Sequence, residues 1–219
     1  MRRAEKFFTQ ADRDRISAAV HEAERRTSGE IVPVVVDESD RYEEAEWRAG
    51  ALLGVLALSV FAAVHLLTPV WLPLRFTEWL LIIVLCFVAG MMLARFVPAV
   101  KRIFAGTELM KKRVGQRAAG VFIEEEVFAT RDRTGILLFV SLTEHKVVVL
   151  GDSGINAKVQ HADWQAIVDT IVDGIVQDRF VDGLVNAVGK CGALLERMGV
   201  NIRPDDRDEL TDNLRVGRP

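Results

Sequence analysis

Two stretches of this chain have almost no polar positions. Residues 49–67 read AGALLGVLALSVFAAVHLL, and residues 79–97 read WLLIIVLCFVAGMMLARFV. Their ionisable residues, His65 and Arg95, each lie near the end of a run. A helix rises about 1.5 Å per residue and the hydrocarbon core of a bilayer is about 30 Å thick, so roughly 20 residues cross it. The pattern predicts two transmembrane helices. In the connection, Pro69 and Pro73 end the first helix, and Trp71 and Trp79 suit the lipid–water boundary. So short a link makes the spans antiparallel and puts both flanking arms on one side. Arg41 and Arg48 precede the first span, and Arg95, Lys101, Arg102, Lys111, Lys112 and Arg113 follow the second. The connection holds Arg75, offset by Glu78. The positive-inside rule then predicts a multi-pass protein of the inner cell membrane with both arms in the cytoplasm. Gly54 and Gly90 suggest where the helices approach each other, and His65 reads as an interfacial residue.

The arms show other periods. Thr9 and Asp12 resemble a capping box, and Ile16, Ala19, Val20 and Ala23 then recur at helical spacing. Thr27-Ser28-Gly29 ends that helix, and residues 30–36, EIVPVVV, read as a strand. Pro33 cannot donate a ladder hydrogen bond, so this strand is expected at an edge or bulged. Beyond the apolar pair, residues 135–142 (GILLFVSL) and 146–150 (KVVVL) form a predicted antiparallel hairpin. A helix is expected over residues 107–131. Two more are marked by Trp164, Ile167, Val168, Ile171 and Ile175, and by Leu184, Val185, Val188, Cys191, Leu195 and Met198.

A lone strand in the first arm needs partners, and the membrane hairpin returns the chain to its starting face. The expected fold is therefore α/β: an α/β/α sandwich with a small mixed sheet, interrupted by a two-helix transmembrane hairpin. Residues 1–48 and 98–199 supply the split soluble domain, 49–97 the hairpin, and 200–219 a charged tail expected to be disordered.

Composition agrees with such a mixture. The 219 residues are 50% hydrophobic yet 27% charged. The net charge of −3 gives no basic field, so no nucleic-acid partner is expected. Cys86 and Cys191 are far apart and suggest neither a disulfide framework nor a paired metal site. The start MRRAEKFFTQADRDR lacks the apolar core of a secretory signal, so export of the first arm is not expected.

Three segments carry a resemblance. They are Asp132-Arg133-Thr134-Gly135-Ile136-Leu137-Leu138 before a strand, Gly151-Asp152-Ser153-Gly154-Ile155 after the next, and Asp182-Gly183-Leu184 ahead of the last helix. In this order they resemble the TPM domain family, over roughly residues 8–36 and 108–198. Thr134 stands where that family usually has Asn, and Asn156 where it often has Glu. The resemblance implies an α/β/α fold and maintenance of membrane complexes. It also implies acid phosphatase activity or calcium binding, which the change at Asn156 weakens.

The chemistry legible in the residues themselves is sparse. Asp37 follows the first strand and Asp152 the third. Were those strand ends adjacent, the two carboxylates with Glu43 or Glu46 would offer oxygen ligands for Ca2+ or Mg2+. As turn residues they need no such role. Arg131, Asp132 and Arg133 form either a solvated loop or a phosphate grip. Gly151-Asp152-Ser153-Gly154 matches a protease nucleophile segment by chance, because this chain is too short and too helical for that fold. His21, His65, His145 and His161 are scattered, and Lys111-Lys112-Arg113 suits anionic headgroups or a solvated helix face. The expected function is a tethered domain that assists assembly, repair or regulation of a membrane protein complex. The alternatives are a metal-dependent phosphatase and a calcium sensor, and the expected partners are the lipid bilayer and that complex.

Overall fold

The computed structural model describes residues 7–67, 75–202 and 209–217. Pro69, Trp71 and Pro73 of the predicted connection therefore lie outside the described residues. In chain order the described elements are α1 (Gln10–Glu24), β1 (Ile31–Val36), α2 (Glu43–Leu67), α3 (Phe76–Phe96), α4 (Pro98–Ala105) and α5 (Thr107–Glu124). They continue with β2 (Ile136–Ser141), β3 (Lys146–Gly151), α6 (Ser153–Asn156), α7 (His161–Val176), α8 (Phe180–Arg197) and β4 (Arg215–Gly217). The chain divides into two compact units, residues 1–40 with 112–219, and residues 41–111.

The first unit is built on a four-stranded mixed sheet in the order β3-β2-β1-β4. Strand β1 runs parallel to β2 and to β4, whereas β3 is antiparallel to β2. Alternate residues of the strands feed two cores. Ile31, Val35, Ile136, Leu138 and Val140 meet Ile16 and Val20 of α1, Ile167 and Ile171 of α7, and Leu184, Val188 and Leu195 of α8. Val32, Val34, Val36, Leu137 and Phe139 meet Val114, Ala118 and Val121 of α5. Both faces of β1 and β2 are thus buried, which is why these strands read as continuous apolar runs. The α/β/α sandwich expected from the hydrophobic pattern is the fold observed.

Two expectations differ. Pro33 lies in an internal strand, not at an edge. The carbonyls of Glu30, just before β1, and Val36 accept from Ile136 of β2 and from Leu142 just after it, so the even positions of β1 bond toward β2 and the odd ones toward β4. Strand β4 pairs only from Val34 onward, and the missing N–H of Pro33 falls just short of that ladder. The second difference is the tail. Residues 215–217 form β4, with Leu214 buried in the core and Leu210 packed against the opposite face. Ion pairs and hydrogen bonds fasten this segment: Arg215 to Glu125 at 2.5 Å, His21 to Asp212 at 3.1 Å, and the Glu209 N–H to Glu30 at 3.1 Å. Asp212 and Arg215 are thus partnered, whereas residues 203–208, 218 and 219 of the predicted tail lie outside the described residues.

Helix α5 also ends earlier than its apolar pattern suggested. Glu126 takes a left-handed φ of 52°, and the Glu126 and Val127 amides donate back to Ile123 and Phe122. This closes the helix in a Schellman turn. Three consecutive acids at the negative end of the helix dipole favour stopping there.

The second unit is an antiparallel pair of long helices. Glu46 pairs with Arg95 at 3.6 Å, Trp47 packs on Phe87, and Phe61 packs on Trp79. Helix α2 has 25 residues and α3 has 21, so they are about 37 and 31 Å long. At the base, Tyr42, Ala45, Ala105 and Met110 form a small core.

Candidate functional site

In sheets with parallel strands, ligands gather at the C-terminal strand ends. Here that end carries a buried polar network. The Ser39 hydroxyl donates to Ser141 Oγ at 2.9 Å, and Ser141 Oγ donates to Glu144 Oε2 at 2.5 Å. Glu144 Oε1 accepts from the Ser39 amide at 2.7 Å. All three residues are buried. The network locks the loop after β1 to the turn after β2, and the Thr143 amide adds a bond to the Asp37 carbonyl. Sequence inspection passed over it because Ser39, Ser141 and Glu144 make no recognisable spacing.

Beside this network lies a cleft of about 420 Å³. Val140, Ser141 and Leu142 line one wall, and Ile175, Phe180 and Val181 line the other. Arg15, His145, Asp178, Arg179 and Asp182 supply polar groups around it. The Arg15–Asp182 pair, at 2.6 Å, ties α1 to the start of α8. Phe7, Phe8 and Phe180 pack edge-on or tilted, with centroids 5.4–5.6 Å apart. The result is an apolar trough with charges of both signs at its mouth, suited to an amphipathic ligand. Four separate segments build it, so no local motif announces it.

The opposite end of the sheet holds Asp152. Its Oδ1 accepts from the Ser153 amide at 2.6 Å, capping α6, and its Oδ2 lies 2.8 Å from Arg133 Nε. Asp152 is 5% exposed, so this charge is neutralised where it is buried. Arg133 also sits over the Phe128 ring at 5.6 Å. Of the predicted phosphate grip, Arg133 is therefore engaged with Asp152.

The predicted cation ligands do not converge. Asp37 continues β1 toward the end of β2, whereas Asp152 follows β3, which runs the other way and pairs Gly151 with Ile136. The length of a strand, roughly 20 Å, separates them. Glu43 and Glu46 belong to the second unit, where Glu46 is paired with Arg95. Among the described residues, no three His, Cys, Asp or Glu side chains are grouped as a cation needs.

The glycines of the three motif segments sit at close backbone approaches. A Cβ on Gly135 would come within 2.0 Å of the Val127 carbonyl, and one on Gly154 within 2.2 Å of the Asp132 carbonyl. Gly183 and Gly174 bring α8 and α7 together backbone to backbone, with an added Cβ 2.6–2.9 Å from the facing Cα. Thr134 donates to the Ser28 carbonyl at 3.3 Å, and Asn156 accepts from the Trp164 indole at 3.3 Å. Cys191 is fully buried, and burial pushes its thiol far above the usual range, leaving it unreactive.

In the second unit, both long helices are apolar enough to cross a membrane, and only 11% of each most apolar window is buried. Core helices of a soluble protein would be mostly covered. Helix contact runs through small residues: a Cβ on Gly90 would meet the Ala49 carbonyl at 2.6 Å, and one on Gly50 the Phe87 carbonyl at 2.9 Å. Gly90 was legible as a contact point, but its partner is Gly50, while Gly54 sits looser against Phe87. The Ser59 hydroxyl is satisfied within its helix by the Val55 carbonyl at 2.8 Å.

These features define an α/β protein with a small mixed sheet, helices on both faces and a hairpin of two membrane-length helices. The family model of the TPM domain matches residues 102–194, the segment carrying β2, β3 and the last two long helices, in agreement with the motif resemblance there. The fold is shared with the BA42 protein of the psychrophilic bacterium Bizionia argentinensis, known from an NMR structure. It is 21% identical, with a TM-score of 0.58 over 96% of each chain. No curated protein matches this chain.

Proposed function

We propose that this chain is a membrane-tethered TPM-domain protein that binds a membrane protein complex and assists its assembly, repair or regulation. The observation that carries this reading is that only 11% of the most apolar window of each long helix is buried, an apolar surface that needs lipid to cover it. The cytoplasmic placement of both arms follows from the excess of Arg and Lys flanking the hairpin over the connection. Binding is favoured over catalysis because Asp37 and Asp152 lie at opposite ends of the sheet, while the cleft is an apolar trough rimmed by charges.

The test begins with fractionation of the full chain. It is expected to stay in the pellet after alkaline washing and to enter detergent extracts, and recovery in the wash would overturn the tether. Reporter fusions at both ends should report the cytoplasm. Crosslinking in native membranes should then join this chain reproducibly to integral membrane proteins. Isolation as a lone species would reject the proposed role.

A further inference from the structure

The short helix α4 is the feature of the second unit that the hairpin alone does not explain. Val97 breaks α3 with an extended backbone (φ −110°, ψ 102°), and Pro98 opens α4. The chain then turns back against the base of α2, where Arg48 Nη1 donates to the Phe104 carbonyl at 2.9 Å. One face of α4 is thereby occupied: Lys101 and Ala105 are buried, and Phe104 packs beside Tyr42, Ala45 and Met110.

The other face is covered by nothing in this unit. Ala99 and Ile103, four residues apart and so on one side of the helix, are exposed, Ile103 to 75%. Next to them Phe96 is 74% exposed at the end of α3. On α3 itself, Leu81, Leu85 and Leu93 are also exposed. Charge is also biased: residues 95–111 hold Arg95, Lys101, Arg102 and Lys111 against one acid, Glu108. An exposed apolar face that directly follows a membrane-length helix in the chain, in a segment of net positive charge, suits the boundary between acyl chains and anionic headgroups.

We propose that α4 is an interfacial helix that lies in the headgroup region with Ile103 and Phe96 in lipid, and that it binds anionic phospholipid. This rests on the membrane reading of the hairpin. A bilayer is favoured over a second copy because exposed Phe96, at the end of a membrane-length helix, and exposed Ile103 lie in one short segment whose net charge is positive.

The test uses the full chain in phosphatidylcholine vesicles containing phosphatidylglycerol. Benzoylphenylalanine is placed singly at position 103, at 85 on α3, or at 176 on α7, all exposed positions. After illumination, lipid adducts are expected at 85 and 103 and not at 176. Adducts at 103 should be enriched in phosphatidylglycerol over the vesicle composition, roughly fivefold for the attraction of one cation. Adducts at 85 without adducts at 103 would overturn the interfacial helix while leaving the hairpin in the membrane. Crosslinks from 103 to a second copy or to another protein would also overturn it. Absence of lipid at both 85 and 103 would overturn the membrane reading and this inference together.

Discussion

Gly90 of α3 lies directly on Gly50 of α2, with its missing Cβ position 2.9 Å from the Gly50 Cα and 2.6 Å from the Ala49 carbonyl oxygen. The obstructing atoms are backbone, so they cannot yield as a side-chain end would. Gly54 is different, because its Cβ position is 3.5 Å from Phe87 Cβ, an ordinary contact. Gly90→Ala is therefore expected to destabilise the helix pair by about 1–3 kcal/mol through overpacking. Gly54→Ala should be near neutral or slightly stabilising, since Ala is the better helix former. Thermal unfolding of both variants in detergent micelles checks this. Equal effects would mean that the hairpin is not packed through Gly90.

Glu144 anchors the loop after β1 to the turn after β2. Its two oxygens accept from the Ser141 hydroxyl and the Ser39 amide, all within a buried environment. Glu144→Ala leaves both donors without that acceptor, and each buried unsatisfied group costs about 1–3 kcal/mol. Glu144→Gln retains a carbonyl acceptor and should be milder. Denaturant titrations of the two variants should rank them Ala below Gln below the parent. An Ala variant as stable as the parent would show that water or another group replaces the carboxylate.

Leu214 precedes the three-residue β4 and is 7% exposed in the main core. Leu214→Ala should cost about 2–4 kcal/mol. Arg215→Ala should cost less, although its partner Glu125 is 2.5 Å away, because Glu125 remains in contact with water. Hydrogen exchange should show the Val35 amide, which faces β4, losing protection in the Leu214 variant before the β1 amides facing β2. Unchanged protection would mean that β4 adds little to the sheet.

That tail marks where sequence reading fell short. The two apolar runs, and β1, β2 and β3, were legible because each is an uninterrupted hydrophobic stretch of the right length. Strand β4 was not, since Leu214 and Val216 alone represent it among polar neighbours, and the core and the polar partners that receive it (Glu30, Glu125 and His21) are far away in the chain. Pro33 was read by a rule about ladder hydrogen bonds that holds, but the register that excuses it depends on where β4 begins. The pairing of Asp37 with Asp152 failed for a reason already present in the sequence reading. An antiparallel β2–β3 hairpin sends the end of β3 away from the end of β2, so the two acids part. The cleft between Arg15, Leu142 and Phe180 draws on segments distant in sequence and has no linear pattern to read.

Thr9 opens α1 with a reciprocal capping box. Its Oγ1 accepts from the Asp12 amide at 3.2 Å, and Asp12 Oδ2 accepts from the Thr9 hydroxyl at 2.7 Å and amide at 3.0 Å. Bonding to the Thr9 hydroxyl first, and then to its amide, holds the Asp12 carboxyl below its usual range. Because the folded value is depressed, the carboxylate contributes stability above its ordinary value near 4, and this is lost as pH falls through the folded value. Thr9→Ala should cost about 1 kcal/mol at neutral pH, as other N-cap deletions do. It should also return Asp12 toward the ordinary range, so the gap between variant and parent should narrow as pH drops from about 5 toward 2. Carboxyl titration by NMR and denaturant midpoints across that window measure both effects. A stability gap that stays constant to the lowest pH would show that the threonine hydroxyl acts on the helix without help from Asp12.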